Sequence, residues 1–280
     1  MSQSMVKIFN TTGPCVPFEH YMLPVLGRLK AVKEMIEGKY YFVLYAPRQS
    51  GKTTYLDILT EKINSEGQYY ALNCPFSGLR DISDNEIAMT TIVTLLNDAM
   101  YSSNINLIKQ KAFKYDSFPG MNSAVVKVKR ILISLCEDLD KELIVFFDEA
   151  DTLSGAPLII FLEQIRLGYQ SRHKPGNKFP RSLALVGMRD IRDYLETSED
   201  LRAKAEGSPF NIKKESLTLA NFTQSEIATL YHQHTEASGQ VFEPLAVERA
   251  WYWSEGQPWL VNALAYEALV KILNNNYSLA

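Results

Sequence analysis

The segment Gln49-Ser50-Gly51-Lys52-Thr53-Thr54 constrains this chain more than any other. It follows the apolar run Tyr40-Tyr41-Phe42-Val43-Leu44-Tyr45 and opens residues 53–63, which read as a helix. Strand, tight glycine-bearing turn, Lys-Thr and helix is the layout of a phosphate-binding P-loop. Gly51 lets the backbone approach phosphate oxygens, and the amides at the helix start add donors and a positive dipole end. Lys52 is expected to reach the β- and γ-phosphates, and Thr53 to offer its hydroxyl to Mg²⁺. Ala46 stands where such loops carry their first glycine, which works if its φ stays negative. The candidate cradle is therefore Ala46, Pro47, Arg48, Gln49, Ser50, Gly51, Lys52, Thr53 and Thr54.

A second motif separates this reading from that of a plain glycine turn with a surface lysine. Leu143-Ile144-Val145-Phe146-Phe147 is a short, continuous apolar run, as in a strand buried on both faces of a parallel sheet. It ends in Asp148-Glu149-Ala150-Asp151. A carboxylate at the C-terminal end of a central strand is where the Mg²⁺ of a bound nucleotide needs an anion, the Walker B position. Asp148 takes that role, and Glu149 is placed to orient and deprotonate an attacking water.

At 280 residues, 46% hydrophobic and 22% charged, the chain has room for one large α/β domain and a small appendage. No apolar run approaches the roughly 20 residues of a membrane helix, and residues 1–7 lack the apolar stretch of a signal peptide. Cys15, Cys74 and Cys136 are widely spaced, which suits reduced thiols in a cytoplasm. A net charge of −3 gives no global basic field, so any nucleic-acid contact has to be a local patch.

Residues 1–20 carry turn signals and read as an extended arm lying against the main domain. Helices are expected over 26–38, from Asp84 to Met100, over 124–139 and over 158–169; strands over 68–72, 182–186 and 214–219. Residues 102–121 are ambiguous, with a surface turn at Phe118-Pro119-Gly120. Alternating strands and helices predict a parallel sheet wound with helices. From Thr223 onward only helices are expected, opened by the capping-box sequence Thr223-Gln224-Ser225-Glu226. The expected division is residues 1–220, with the arm, and a helical lid over 221–280.

Taken together, these motifs resemble the AAA-like ATP-binding proteins of bacteria and archaea, in the branch that holds the STAND and origin-recognition ATPases. The resemblance runs nearly end to end, through Phe9-Asn10-Thr11-Thr12-Gly13, residues 41–49, Gly187-Met188-Arg189-Asp190, Pro209-Phe210-Asn211-Ile212 and residues 256–262. It implies ATP and Mg²⁺ as ligands and Arg189 as a sensor of the γ-phosphate. It also implies a Gly-x-Pro element, Gly256 and Pro258, that packs on the nucleotide, and an arm that contacts adenine near His20 and Tyr21. Relatives of this kind usually continue into a winged-helix module, so a chain ending at Ala280 is either shortened or a short natural form.

Other features carry weaker functional readings. His232 and His234 lie two apart on a helix and point to different sides, as exposed helix histidines rather than a metal site. Arg166 and Arg172 are the positions from which an arginine could reach a neighbouring subunit, although surface pairing with an acid is the simpler expectation. Trp251, Trp253 and Trp259 read as lid core. The expected function is an Mg²⁺-dependent ATPase acting as a conformational switch between ATP and ADP. Alternatives are a nucleotide-binding regulatory module with little turnover, a DNA-associated ATPase and a small-molecule kinase. A protein partner or a second copy of the chain is left open, and no membrane association is expected.

Overall fold

The computed structural model describes residues 6–24, 29–103, 105–115, 123–188 and 212–274. The chain divides into two compact units, one of residues 28–46 and 56–218 and one of residues 1–27, 47–55 and 219–280.

The first unit is built on a five-stranded, wholly parallel sheet. Its strands are β1 (Tyr41–Tyr45), β2 (Tyr70–Pro75), β3 (Leu143–Asp148), β4 (Ser182–Gly187) and β5 (Lys213–Thr218), in the order β2-β3-β4-β1-β5. Every residue of β3 and β4 is buried, as their continuous apolar sequences require of central strands covered on both faces. Period-two alternation sends Leu143, Val145, Phe147, Leu183 and Leu185 into one core, while Ile144, Phe146, Ala184 and Val186 are buried on the opposite face.

Helices α1 (Leu29–Glu37), α2 (Lys52–Glu66), α3 (Asn85–Ser102), α4 (Asn106–Tyr115), α5 (Lys127–Asp138) and α6 (Gly155–Ser171) alternate with these strands. The Asp84 side chain caps α3 by accepting the Ile87 N–H at 2.9 Å. Ile87 itself is exposed; the buried stripe is Ala88, Met89, Ile92, Leu96 and Met100. The ambiguous region over 102–121 contains α4, and Phe118-Pro119-Gly120 lies outside the described residues. Where α1 ends, Arg181 donates to the carbonyls of Ile36 and Glu37 and pairs with Glu142, which also pairs with Lys39. Burial alone would raise the Glu142 pKa, but the hydrogen bonds from Lys39 and Arg181 outweigh it and leave it lowered.

In the second unit, α7 (Gln224–Ser238), α8 (Pro244–Ser254) and α9 (Pro258–Tyr266) pack together, followed by a π-helical stretch at Glu267–Ile272. The capping box forms as the sequence indicates: Thr223 Oγ1 accepts the Glu226 N–H, and Glu226 Oε2 accepts the Thr223 N–H. The arm belongs to this unit. Phe9 and Tyr21 are buried in one cluster with Ile227, Leu230, Tyr231, Val247, Val261 and Ala265, so the arm expected to lie with the sheet shares the core of the helices instead. Two large aromatic side chains need an apolar partner surface, and these helices supply it.

His234, expected to be exposed, is buried between Tyr21 and Gln240, whereas His232 is exposed beside Glu236. The i, i+2 divergence holds, but one of its two directions leads into the core. Trp251 and Trp253 also depart from expectation, at 42% and 68% exposed. The buried residues of α8 are Val247, Ala250 and Ser254, and helical spacing turns Trp253 away from that stripe. Trp259 is half-buried and donates its indole N–H to Thr11 O at 2.8 Å. All three cysteines are free, and burial pushes the Cys74 and Cys136 thiols well above their usual range. Among the described residues no helix is long and apolar enough to cross a membrane.

Candidate nucleotide site

The loop after β1 starts from a fixed point. Ala46 is fully buried, and its N–H donates to Gly187 O, at the end of the neighbouring β4, at 3.1 Å. Ala46 is not among the residues with positive φ, so the condition for alanine in the first-glycine position is met. Beyond it, Gln49 has φ +59° and Gly51 has φ +80°, while Arg48, Ser50 and Lys52 do not have positive φ. Alternation of this kind turns successive backbone N–H groups toward one concave side, a nest for an anion. A Cβ placed on Gly51 would meet nothing within 4 Å. Glycine is required there by φ, and the space beside it is open.

Helix α2 begins at Lys52, directly after the nest, and its first turn holds no acidic residue. The positive end of its dipole is therefore left uncompensated by side chains of that turn. Lys52 Nζ donates to Pro47 O at 2.8 Å, folding the ammonium back over the loop. Ser50 is buried, and its hydroxyl has no hydrogen-bond partner among the described residues. A phosphate oxygen is the kind of acceptor these groups fit. Thr53 is exposed, while Thr54 Oγ1 accepts the backbone N–H of Cys15 in the arm at 2.9 Å.

The Gly256-Gln257-Pro258 turn lies beside this loop within the same unit. Gln257 Nε2 donates to the carbonyls of Arg48 and Gln49, at 3.3 and 3.2 Å. Pro258 is buried at the first position of α9, where its missing N–H costs nothing. Tyr21 is 2% exposed with its hydroxyl on His234, and His20 Nδ1 accepts the Val16 N–H. Both side chains are thus engaged in contacts that hold the arm.

In the sheet unit, Asp148 closes β3 at 2% exposure, and its Oδ1 accepts the Glu149 N–H at 2.9 Å. Glu149 follows at φ +55°, and this left-handed turn leaves it exposed. Asp151 lies against Gly187, where an added Cβ would sit 3.0 Å from Asp151 Oδ1. Arg172 stacks on Tyr169 with 3.6 Å between guanidinium carbon and ring centroid, an aromatic rather than an acidic partner. Arg166 is half-buried on α6. Arg189 lies outside the described residues. Neither the left-handed turn at Gln49 nor the contact of Gln257 with the loop follows from the sequence pattern, although a polar residue before a helix-starting proline signals a cap.

No protein-family model and no curated protein matches the chain. Solved structures do. A Walker-type ATPase of Pyrococcus abyssi superposes with a TM-score of 0.61 at 15% identity, over 96% of this chain and 73% of that one. The chain has the fold of the Walker-type and origin-recognition P-loop ATPases. The ORC2 protein of Aeropyrum pernix, solved in ADPNP–ADP complexes, gives 0.58 at 16% identity over 95% of this chain and 66% of its own. The ORC1 protein of the same organism, solved in complex with DNA, gives 0.55 at 14% identity over 92% and 63%.

Proposed function

We propose that this chain binds ATP with Mg²⁺ and hydrolyses it, acting in the cytoplasm as a switch between ATP- and ADP-bound conformations. The observation that carries the reading is the loop of alternating φ over residues 48–51, running into a helix whose first turn holds no acid. On this reading the amides of residues 48–53 hold the phosphates, and Lys52 leaves Pro47 O to neutralise the β- and γ-phosphates. Thr53 and Asp148 offer hard oxygen donors of the kind Mg²⁺ takes. The metal, when bound, neutralises charge developing on the phosphates. Glu149, exposed just beyond Asp148, orients and deprotonates the attacking water. Arg189 reads the γ-phosphate, and Pro258 packs against the nucleotide.

Calorimetric titration with Mg–ATP tests the reading. The parent protein should bind, and Lys52→Ala should bind far more weakly or not at all. Equal affinity of the two proteins would remove the phosphate site from this loop. Phosphate release measured with and without DNA then decides between a free-standing switch and an ATPase that answers to nucleic acid.

A further inference from the structure

We propose that Gln257 is a positioning residue for the phosphate-binding loop, holding the anion nest in shape and tying it to the first turn of α9. The proposal rests on the loop being the nucleotide cradle, and it names a device of that site which the P-loop pattern does not contain.

Its amide orientation follows from chemistry. Gln257 caps α9 by accepting the Leu260 N–H at 2.6 Å, which only the oxygen end can do. The –NH₂ end is therefore the one that faces the loop, and its two hydrogens match two acceptors, Arg48 O and Gln49 O. Alternating φ that turns amides toward a bound anion turns the intervening carbonyls the other way. Those outward carbonyls need donors, and Gln257 supplies them from more than 200 positions along the chain.

Gln49 gives this bond its purpose. It holds φ +59° without being glycine, a conformation that residues with side chains disfavour. A donor pair on Arg48 O and Gln49 O favours that conformation before any ligand arrives. The nest is then preorganised, and less ordering is left for the nucleotide to drive. Because the same side chain caps α9, a shift of that helix's start alters the loop and a change in the loop reaches the helix. The element coupled to the nucleotide is thus specified down to one amide.

Gln257→Glu keeps the capping oxygen and replaces both donors by a carboxylate facing two carbonyls. In nucleotide-free protein, hydrogen–deuterium exchange should speed up over residues 47–55 and stay unchanged over residues 258–266. Gln257→Leu also removes the cap, so both segments should exchange faster. Mg–ATP affinity of Gln257→Glu should fall about tenfold or more, the loss expected for two hydrogen bonds. Turnover at saturating ATP should stay within about twofold, since only the cost of ordering the loop has changed. Unchanged exchange over residues 47–55, or unchanged or tighter ATP binding, would overturn the proposal. Failure of the parent protein to bind ATP would overturn the nucleotide reading instead, and the exchange comparison would still decide whether Gln257 holds the loop.

Discussion

Replacing Gly256 by alanine should destabilise the unit formed by residues 1–27, 47–55 and 219–280 far more than an ordinary surface substitution. Gly256 sits at φ +74°, and a Cβ added there would lie 1.9 Å from Phe222 O and 2.9 Å from Phe222 C. Real Cβ atoms do not approach backbone within 3.0 Å. The 2.7 Å bond from Phe222 N–H to Gly256 O cannot survive the required shift. The left-handed conformation costs alanine about 1–2 kcal/mol, and a buried hydrogen-bonding group left unmade costs about 1–3 kcal/mol. The total is on the order of 2–5 kcal/mol. With about 2 kcal/mol per molar urea for a small unit, the midpoint should fall by roughly 1–2.5 M. All three tryptophans (Trp251, Trp253 and Trp259) lie in this unit, so their fluorescence reports on it selectively. Gly239→Ala is the matched control: φ is +80°, but nothing lies within 4 Å of the added Cβ, so only the conformational cost of about 1–2 kcal/mol applies. If Gly256→Ala loses no more stability than Gly239→Ala, the close approach to Phe222 is not what makes glycine necessary.

Three further outcomes follow from the site and its supports. Glu149→Gln should keep Mg–ATP affinity while turnover drops by roughly 10²–10⁴, the usual worth of a general base; parent-like phosphate release would move the base to Asp151. Burial lowers the His234 pKa below its ordinary 6.5, against a raising hydrogen bond that the ring makes to Gln240 Oε1, so the folded state favours the neutral ring. The stability this contributes is present above pH 6.5 and is lost as pH falls below it, so the tryptophan-monitored midpoint should drop between pH 7.5 and 5, and His234→Gln should flatten that slope. Thr54→Val removes the hydroxyl that accepts the Cys15 N–H and should cost about 1–2 kcal/mol by urea unfolding, whereas a change within error would mean that this bond does not hold the arm.

Much of the protein is legible in single segments, because the physics there is local. Helix starts at Asp84 and Thr223 are announced by side chains that bond to amides three residues on. The buried strands at Leu143–Asp148 and Ser182–Gly187 show as unbroken apolar runs. Gly51 and Lys52 mark the candidate phosphate loop, because a left-handed turn and a cation at a helix start are local features of the sequence. The sequence also carries the order of the elements, which argues for a parallel sheet. Only the tertiary structure decided that β4 lies between β3 and β1, since pairing partners are chosen across long stretches of chain. It also decided that Phe9 and Tyr21 join the C-terminal helices, that His234 turns inward while Trp253 turns outward, and that Gln257 meets Arg48 and Gln49. Periodicity tells how wide an apolar face is, but not which face finds a partner. A hydrogen bond to a distant carbonyl leaves no trace in either segment until the fold brings donor and acceptor within about 3 Å.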